Sequence, residues 1–202
     1  RESVVVLKDD NILPLSKDLQ TLVVAGKGAN NLGMQCGGWS IEWQGGQGNI
    51  TVGTTILDGI KKTVSESTKI IYSEDGSDVV PNHDNIAVVV IGEDPYTEWF
   101  GDKENLDLNK GDINLINSLK DKGFKVAVLL ISGRPLNVAD HIDQWDAFAA
   151  IWLPGTEGDG VSDILFGDFS STGRLSFPWP INTEEGSNAD KDNLLFEIGY
   201  GL

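Results

Sequence analysis

The sequence predicts an α/β fold, a layered sandwich with a largely parallel central sheet flanked by helices. Two observations carry the prediction. Apolar runs at 21–26 (TLVVAG), 86–92 (IAVVVIG), 125–132 (KVAVLLIS) and 148–153 (FAAIWL) show no alternation with polar residues, as expected of strands covered on both faces. Between them lie stretches with apolar residues at helical spacing, and this alternation is the pattern of a parallel sheet joined by crossover helices.

Residues 1–20 are read as a linker-derived segment packed on the domain surface, and residues 21–202 as the domain proper. The segment holds a short apolar run at 4–7, then Asp9-Asp10-Asn11 and Ile12-Leu13-Pro14-Leu15. After the first core strand, Gly26-Lys27-Gly28 superficially matches a dinucleotide-binding turn. That reading is rejected, because the third glycine is missing, Ala29-Asn30-Asn31 is not expected to open a helix, and no acidic residue ends a second strand about 20 positions on. Residues 30–48 read instead as a long glycine-rich loop carrying Trp39 and Trp43, and a loop of that length is commonly functional. Val52, Ile56, Leu57, Ile60 and Val64 predict an amphipathic helix over 51–64, and 68–72 a further strand. A helix with its apolar face at 113–119 closes at Gly123. A short helix at 137–141, a helical turn at 161–166, a strand-like stretch at 174–177 and a polar loop complete the chain.

Composition narrows the partners. Among 202 residues, 40% are hydrophobic, enough for one sizeable domain. A net charge of −16 argues against nucleic acid or an anionic membrane as partner, since both require a basic face. No run approaches the roughly eighteen apolar residues of a membrane span. Cys36 is the single cysteine, which excludes an internal disulfide and a cysteine-based metal cluster. His83 and His141 belong to no ligand motif and are read as structural or surface residues, so no metal and no cofactor is expected. The start at Arg1 reads as a cut or processed boundary.

The stretch 86–102 draws attention, because a buried-type strand ends in Gly92-Glu93-Asp94-Pro95-Tyr96-Thr97-Glu98-Trp99-Phe100-Gly101-Asp102. Ligands of open α/β sheets bind beyond the carboxyl ends of the strands, which is where Glu93 falls. Partial desolvation beside Pro95, Tyr96 and Trp99 is expected to raise its pKa, as a general acid requires. A plain surface glutamate fits the spacing as well, and Glu98 and Asp102 are rivals in the same loop. Asp94 is expected to bond local backbone N–H groups. Trp39 and Trp43 can each offer a flat apolar face to a sugar ring or anchor the loop, with Trp43 the preferred anchor. Ser132, in Ile-Ser-Gly-Arg-Pro, lacks the Gly-x-Ser-x-Gly elbow of a nucleophilic serine, and Arg134 is expected to pin loops.

Seven segments, in order, carry a more specific signal: Arg1-Glu2 with Val6-Leu7-Lys8 and Leu13-Pro14-Leu15, then CGGWSIEWQG (36–45), VGTTILDGI (52–60), GEDPYTEWFGD (92–102), LISGRPLNV (130–138), the run 152–180 and FEIGYGL (196–202). With them the chain resembles, over nearly its whole length, the C-terminal α/β domain of glycoside hydrolase family 3, in particular exo-acting β-glucosidases and β-glucan glucohydrolases. The resemblance implies hydrolysis with retention, an aspartate nucleophile on a separate (β/α)₈ barrel and an acid/base glutamate on this domain. It matches Glu93 to the acid/base and Trp39 to a sugar-stacking tryptophan; Trp43, four residues on in the same loop, is kept as a second candidate substrate-binding residue. The departure at Asp94 is expected to raise the pKa of Glu93 further. It also implies a β-glucan or β-gluco-oligosaccharide and the barrel as partners, a secreted or periplasmic setting, and little activity of this chain alone. The chain then reads as a portion of a full enzyme, with a separately encoded barrel or a non-catalytic carbohydrate-binding or interaction module as alternatives.

Overall fold

Ala87 to Ile91 are wholly buried, and successive side chains along this strand enter two different cores. The computed structural model describes residues 1–182 and 193–202. Its main sheet has six strands: β1 (Val5–Asp9), β2 (Thr21–Ala25), β3 (Lys69–Ser73), β4 (Ile86–Gly92), β5 (Lys125–Ile131) and β6 (Ala147–Trp152). They lie in the order β1-β6-β5-β4-β2-β3. β2 to β6 pair in parallel, and β1 pairs antiparallel with β6 at the edge. Ala87, Val89 and Ile91 face one core with Ile116, Leu119 and Trp145, whereas Val88 and Val90 face the other with Ile56, Ile60 and Val161. Two covered faces explain the unbroken apolar runs.

Helices α1 (Leu32–Cys36), α2 (Ile56–Thr63), α3 (Lys110–Asp121), α4 (Ala139–Ile142) and α5 (Gly158–Leu165) connect the strands. On one side α2 packs against α5 so closely that a Cβ on Gly59 would lie 2.6 Å from Ser162 Oγ. The Thr55 hydroxyl accepts from the N–H of Asp58 at 3.1 Å and begins α2 there, leaving Thr51 to Thr54 outside the helix that the apolar spacing extended to them. Lys61 and Lys62 in its last turn suit the negative end of the helix dipole. Asn109 caps α3 in the same way, accepting from the N–H of Gly111 at 2.7 Å.

Three expectations change. The 4–7 run does not sit on the outside of a finished core, because Val5 to Leu7 are buried and β1 is part of the sheet. Ala29-Asn30-Asn31 does precede a helix, since Asn31 caps α1 by accepting from Met34 N–H at 3.0 Å. The 174–177 stretch is not a strand. The short pair β7 (Trp179–Pro180) and β8 (Leu194–Phe196) forms instead, anchored by the buried Trp179, whose Nε1–H donates to Leu136 O at 3.0 Å. Most of the expected polar loop, residues 183–192, lies outside the described residues. No helix among the described residues is long and apolar enough to cross a membrane.

Candidate functional site

β4 adjoins both β2 and β5, and the chain leaves it through Gly92 at a place only glycine fits. Its φ is +153°, and a Cβ there would stand 2.0 Å from Ile131 O. The next N–H, that of Glu93, donates to the same Ile131 carbonyl at 3.0 Å, which fixes the start of the Glu93 side chain beyond the carboxyl end of the sheet. That position lies beside the switch point of the sheet: β2 pairs on one side with β3 and on the other with β4.

The Glu93 side chain is only 8% exposed, and its carboxyl is surrounded by donors. Arg134 gives Oε1 a 2.7 Å bond from Nη2 and approaches again through Nε at 3.2 Å. The Ser132 hydroxyl donates to Oε2 at 2.8 Å and the Tyr96 hydroxyl at 3.2 Å. Lys103 Nζ is 3.6 Å from Oε1. Burial pushes the Glu93 pKa up, but the Arg134 and Ser132 hydrogen bonds, with the charges of Arg134 and Lys103, prevail and hold it below the usual glutamate value. The sequence-based expectation of a raised pKa is therefore reversed, because Arg134 and Ser132 arrive from the end of β5 and Lys103 folds back from farther along the loop that carries Glu93. Asp94 does not act on Glu93 as expected either. It is paired with Lys27 at 2.9 Å, a contact that joins the loop after β2 to the loop after β4.

The supporting residues form one unit. Arg134 also donates from Nη1 to Gly101 O at 2.6 Å, and its guanidinium lies over the Tyr96 ring, 4.5 Å from the centroid. Loop pinning is thus part of its role, and neutralising Glu93 is the other part. Burial and the charge of Glu93 push the Tyr96 phenol up to about 12, so it remains a donor throughout the physiological range. Ser132, set aside as a nucleophile, is instead held in place by accepting from Arg134 N–H at 3.2 Å. Of the rivals, Glu98 is the exposed first residue of the 3₁₀ turn Glu98–Gly101, and Asp102, also exposed, follows its end.

The glycine-rich loop lies directly over this unit. Gln44 Oε1 accepts from Thr97 N–H at 3.2 Å, and Gly38 approaches the backbone so closely that a Cβ would be 2.2 Å from Tyr96 O. A cleft of about 180 Å³ opens between Gly37-Gly38 and Ser132-Gly133, and Glu93 and Tyr96 line it. Trp39, next to Gly38, is 69% exposed. Trp43 packs 6.3 Å from Trp39, centroid to centroid, and edge-on against Trp99 and Phe100 at 5.4 and 5.9 Å. The backbone is left-handed at Trp39 (φ +60°), Ile41 (+65°) and Glu98 (+49°). His83 lies at the surface beside Asp84 and His141 in α4. Among the described residues, no group of three or more His, Cys, Asp or Glu side chains is arranged to hold a metal ion.

The profile of the glycosyl hydrolase family 3 C-terminal domain matches residues 4–202. The chain belongs to that family. As a family 3 C-terminal domain it is 30% identical to a lysosomal beta glucosidase of Dictyostelium discoideum, over all of this chain and 28% of the relative. It is 28% identical to a periplasmic beta-glucosidase of Salmonella typhimurium, over all of this chain and 33% of that protein. In three dimensions it matches a mutant of an exo-1,3/1,4-beta-glucanase from a Pseudoalteromonas species with a TM-score of 0.85 and 40% identity, covering 98% of this chain and 34% of the other. The domain therefore spans about a third of the length of such relatives. Within the family 3 domain, the structure brings Glu93 and the loop of Trp39 and Trp43 to one cleft; the sequence placed Tyr96 beside Glu93 only as an apolar neighbour, and did not point to Lys103, Ser132 and Arg134 as its partners. Arg134 had a readable signal, since an arginine just past a strand that adjoins β4 can reach a carboxylate at the end of β4.

Proposed function

We propose that this chain is the C-terminal domain of a retaining exo-acting β-glucosidase or β-glucan glucohydrolase, with Glu93 as its general acid/base. The observation that carries the reading is the setting of Glu93: a nearly buried carboxyl at the end of a central strand, held by Arg134, Ser132 and Tyr96 at the mouth of a cleft beside Trp39. A (β/α)₈ barrel, carried elsewhere in the same protein or on another chain, supplies the aspartate nucleophile. The names of the relatives point the same way, toward β-glucosidase or exo-β-glucanase activity. The two names that mention a compartment, lysosomal and periplasmic, favour a setting outside the cytosol.

In the first step the aspartate attacks the anomeric carbon while Glu93 passes its proton to the departing glycosidic oxygen. In the second, ionised Glu93 takes a proton from water as that water attacks the glycosyl-enzyme, releasing the sugar and restoring the acid. Trp39 stacks on the sugar beyond the scissile bond, and Trp43 backs it. The ionised Glu93 of this domain is ready for the second step. For the first it must gain a proton, and docking of the barrel provides the cause: it brings a second carboxylate to about 5–5.5 Å and excludes water, both of which raise the pKa. On this reading the chain by itself turns over no glycoside. Glu93→Gln in the barrel-containing protein tests the assignment. Turnover of glucosides with poor leaving groups should be lost, and azide with an activated aryl glucoside should restore part of the rate. If Glu98→Gln gives that pattern and Glu93→Gln does not, Glu93 is the wrong residue.

A further inference from the structure

The aromatic surface beside Glu93 is wider than one sugar ring occupies. Trp99 and Phe100 are 62% and 60% exposed and continue the surface that Trp39 begins, with Trp43 between them. Contiguous exposed apolar surface of this kind marks a binding site. The rings come from two loops that are tied together through Thr97 and Gln44, so their relative positions are set by the fold. Trp43 braces Trp99 and Phe100 edge-on, and the two lean together at 31° with centroids 5.9 Å apart.

The surroundings select the ligand. The exposed carboxylates of Glu42 and Glu98 stand in the same two loops, and the chain carries a net charge of −16. An anionic polymer would be repelled, and the centre of a protein interface is depleted of carboxylates. A neutral pyranose chain meets both conditions: its C–H faces lie on the rings and its hydroxyls donate to the acids around them.

We propose that Trp99 and Phe100 form a second sugar platform, which takes a residue of a β-linked oligosaccharide farther from the scissile bond than the residue stacked on Trp39. This rests on the roles given to Glu93 and Trp39 above. The test is made in the barrel-containing protein, comparing kcat/KM for a β-linked gluco-tetrasaccharide and for an aryl β-glucoside. In Trp99→Ala and in Phe100→Ala, the ratio of tetrasaccharide to aryl glucoside should fall on the order of tenfold, the effect of losing one well-packed aromatic contact. Trp99→Phe keeps an aromatic face and should retain most of the ratio. An unchanged ratio overturns the proposal, whether the two substrates suffer equally, as they would if the patch seated the barrel, or not at all. Failure of the underlying assignment looks different: Glu93→Gln would then retain turnover on both substrates, whatever the Trp99 ratio shows.

Discussion

Replacing Arg134 by glutamine removes the main partner of a nearly buried carboxylate, and its cost can be worked from the contacts. Arg134 supplies Glu93 with a 2.7 Å charged hydrogen bond and a second approach at 3.2 Å, and it binds Gly101 O at 2.6 Å. Its side chain is 23% exposed and that of Glu93 8%. A pair so enclosed loses about 3 kcal/mol when one member is deleted, because the remaining charge is left unpaired. For a domain of this size that is roughly 6–12 °C in Tm. The pH dependence follows from the sign of the shift. Glu93 has a depressed pKa in the native fold, so its contribution is present above the ordinary glutamate value and is lost as pH falls through the native value. In Arg134→Gln, burial is less opposed and the native pKa rises. The stability gap between wild type and variant is therefore widest near neutrality and narrows in acid, leaving the share due to Gly101 and Tyr96. Urea unfolding of this chain at neutral and acid pH measures the gap, and carbon NMR of the Glu93 carboxyl follows the pKa. A gap independent of pH, or a pKa that falls in the variant, refutes the reasoning.

Two further substitutions probe the base of the site. Asp112 on α3 is nearly buried, and burial pushes its pKa up against the opposing effects of Lys27 and a hydrogen bond from Gly92. A raised carboxyl pKa makes the native state less stable as pH rises through it, so Asp112→Asn should gain about 1 kcal/mol near neutrality and less in acid, read from Tm at the two pH values. Equal loss at both would contradict this. Gly92→Ala places a Cβ against Ile131 O at a φ that side chains rarely adopt, and should cost about 3 kcal/mol or more by thermal unfolding; a loss under about 1 kcal/mol would show that the strand end can shift.

What the sequence disclosed depended on how local the cause was. The inner strands were legible because a sheet covered on both faces leaves apolar runs, and the place of Glu93 was legible because such a run ends at Gly92. The direction of its pKa was not, since Arg134 lies 41 positions later and reaches Glu93 only because β5 is paired beside β4. The antiparallel β1 was missed for a similar reason: its register, Val5 opposite Ala150, joins residues 145 positions apart. β7 and β8 are too short to show a period of two. The Asn31 cap was readable, as asparagine is a favoured N-cap, but the glycines around it concealed a helix of five residues.

The left-handed backbone at Trp39, Ile41 and Glu98 has a consequence for recognition. A side-chain-bearing residue in that region costs on the order of 1 kcal/mol, and the rest of the domain bears it on folding, before any ligand is present. The loops are therefore preorganised. On the proposed role of Trp39, a sugar meets there a surface whose conformational entropy has already been surrendered, so little of its intrinsic affinity is spent on ordering protein. Relaxing these turns would favour the fold and weaken recognition, the trade expected where a rigid scaffold holds its loops away from their own lowest-energy shapes.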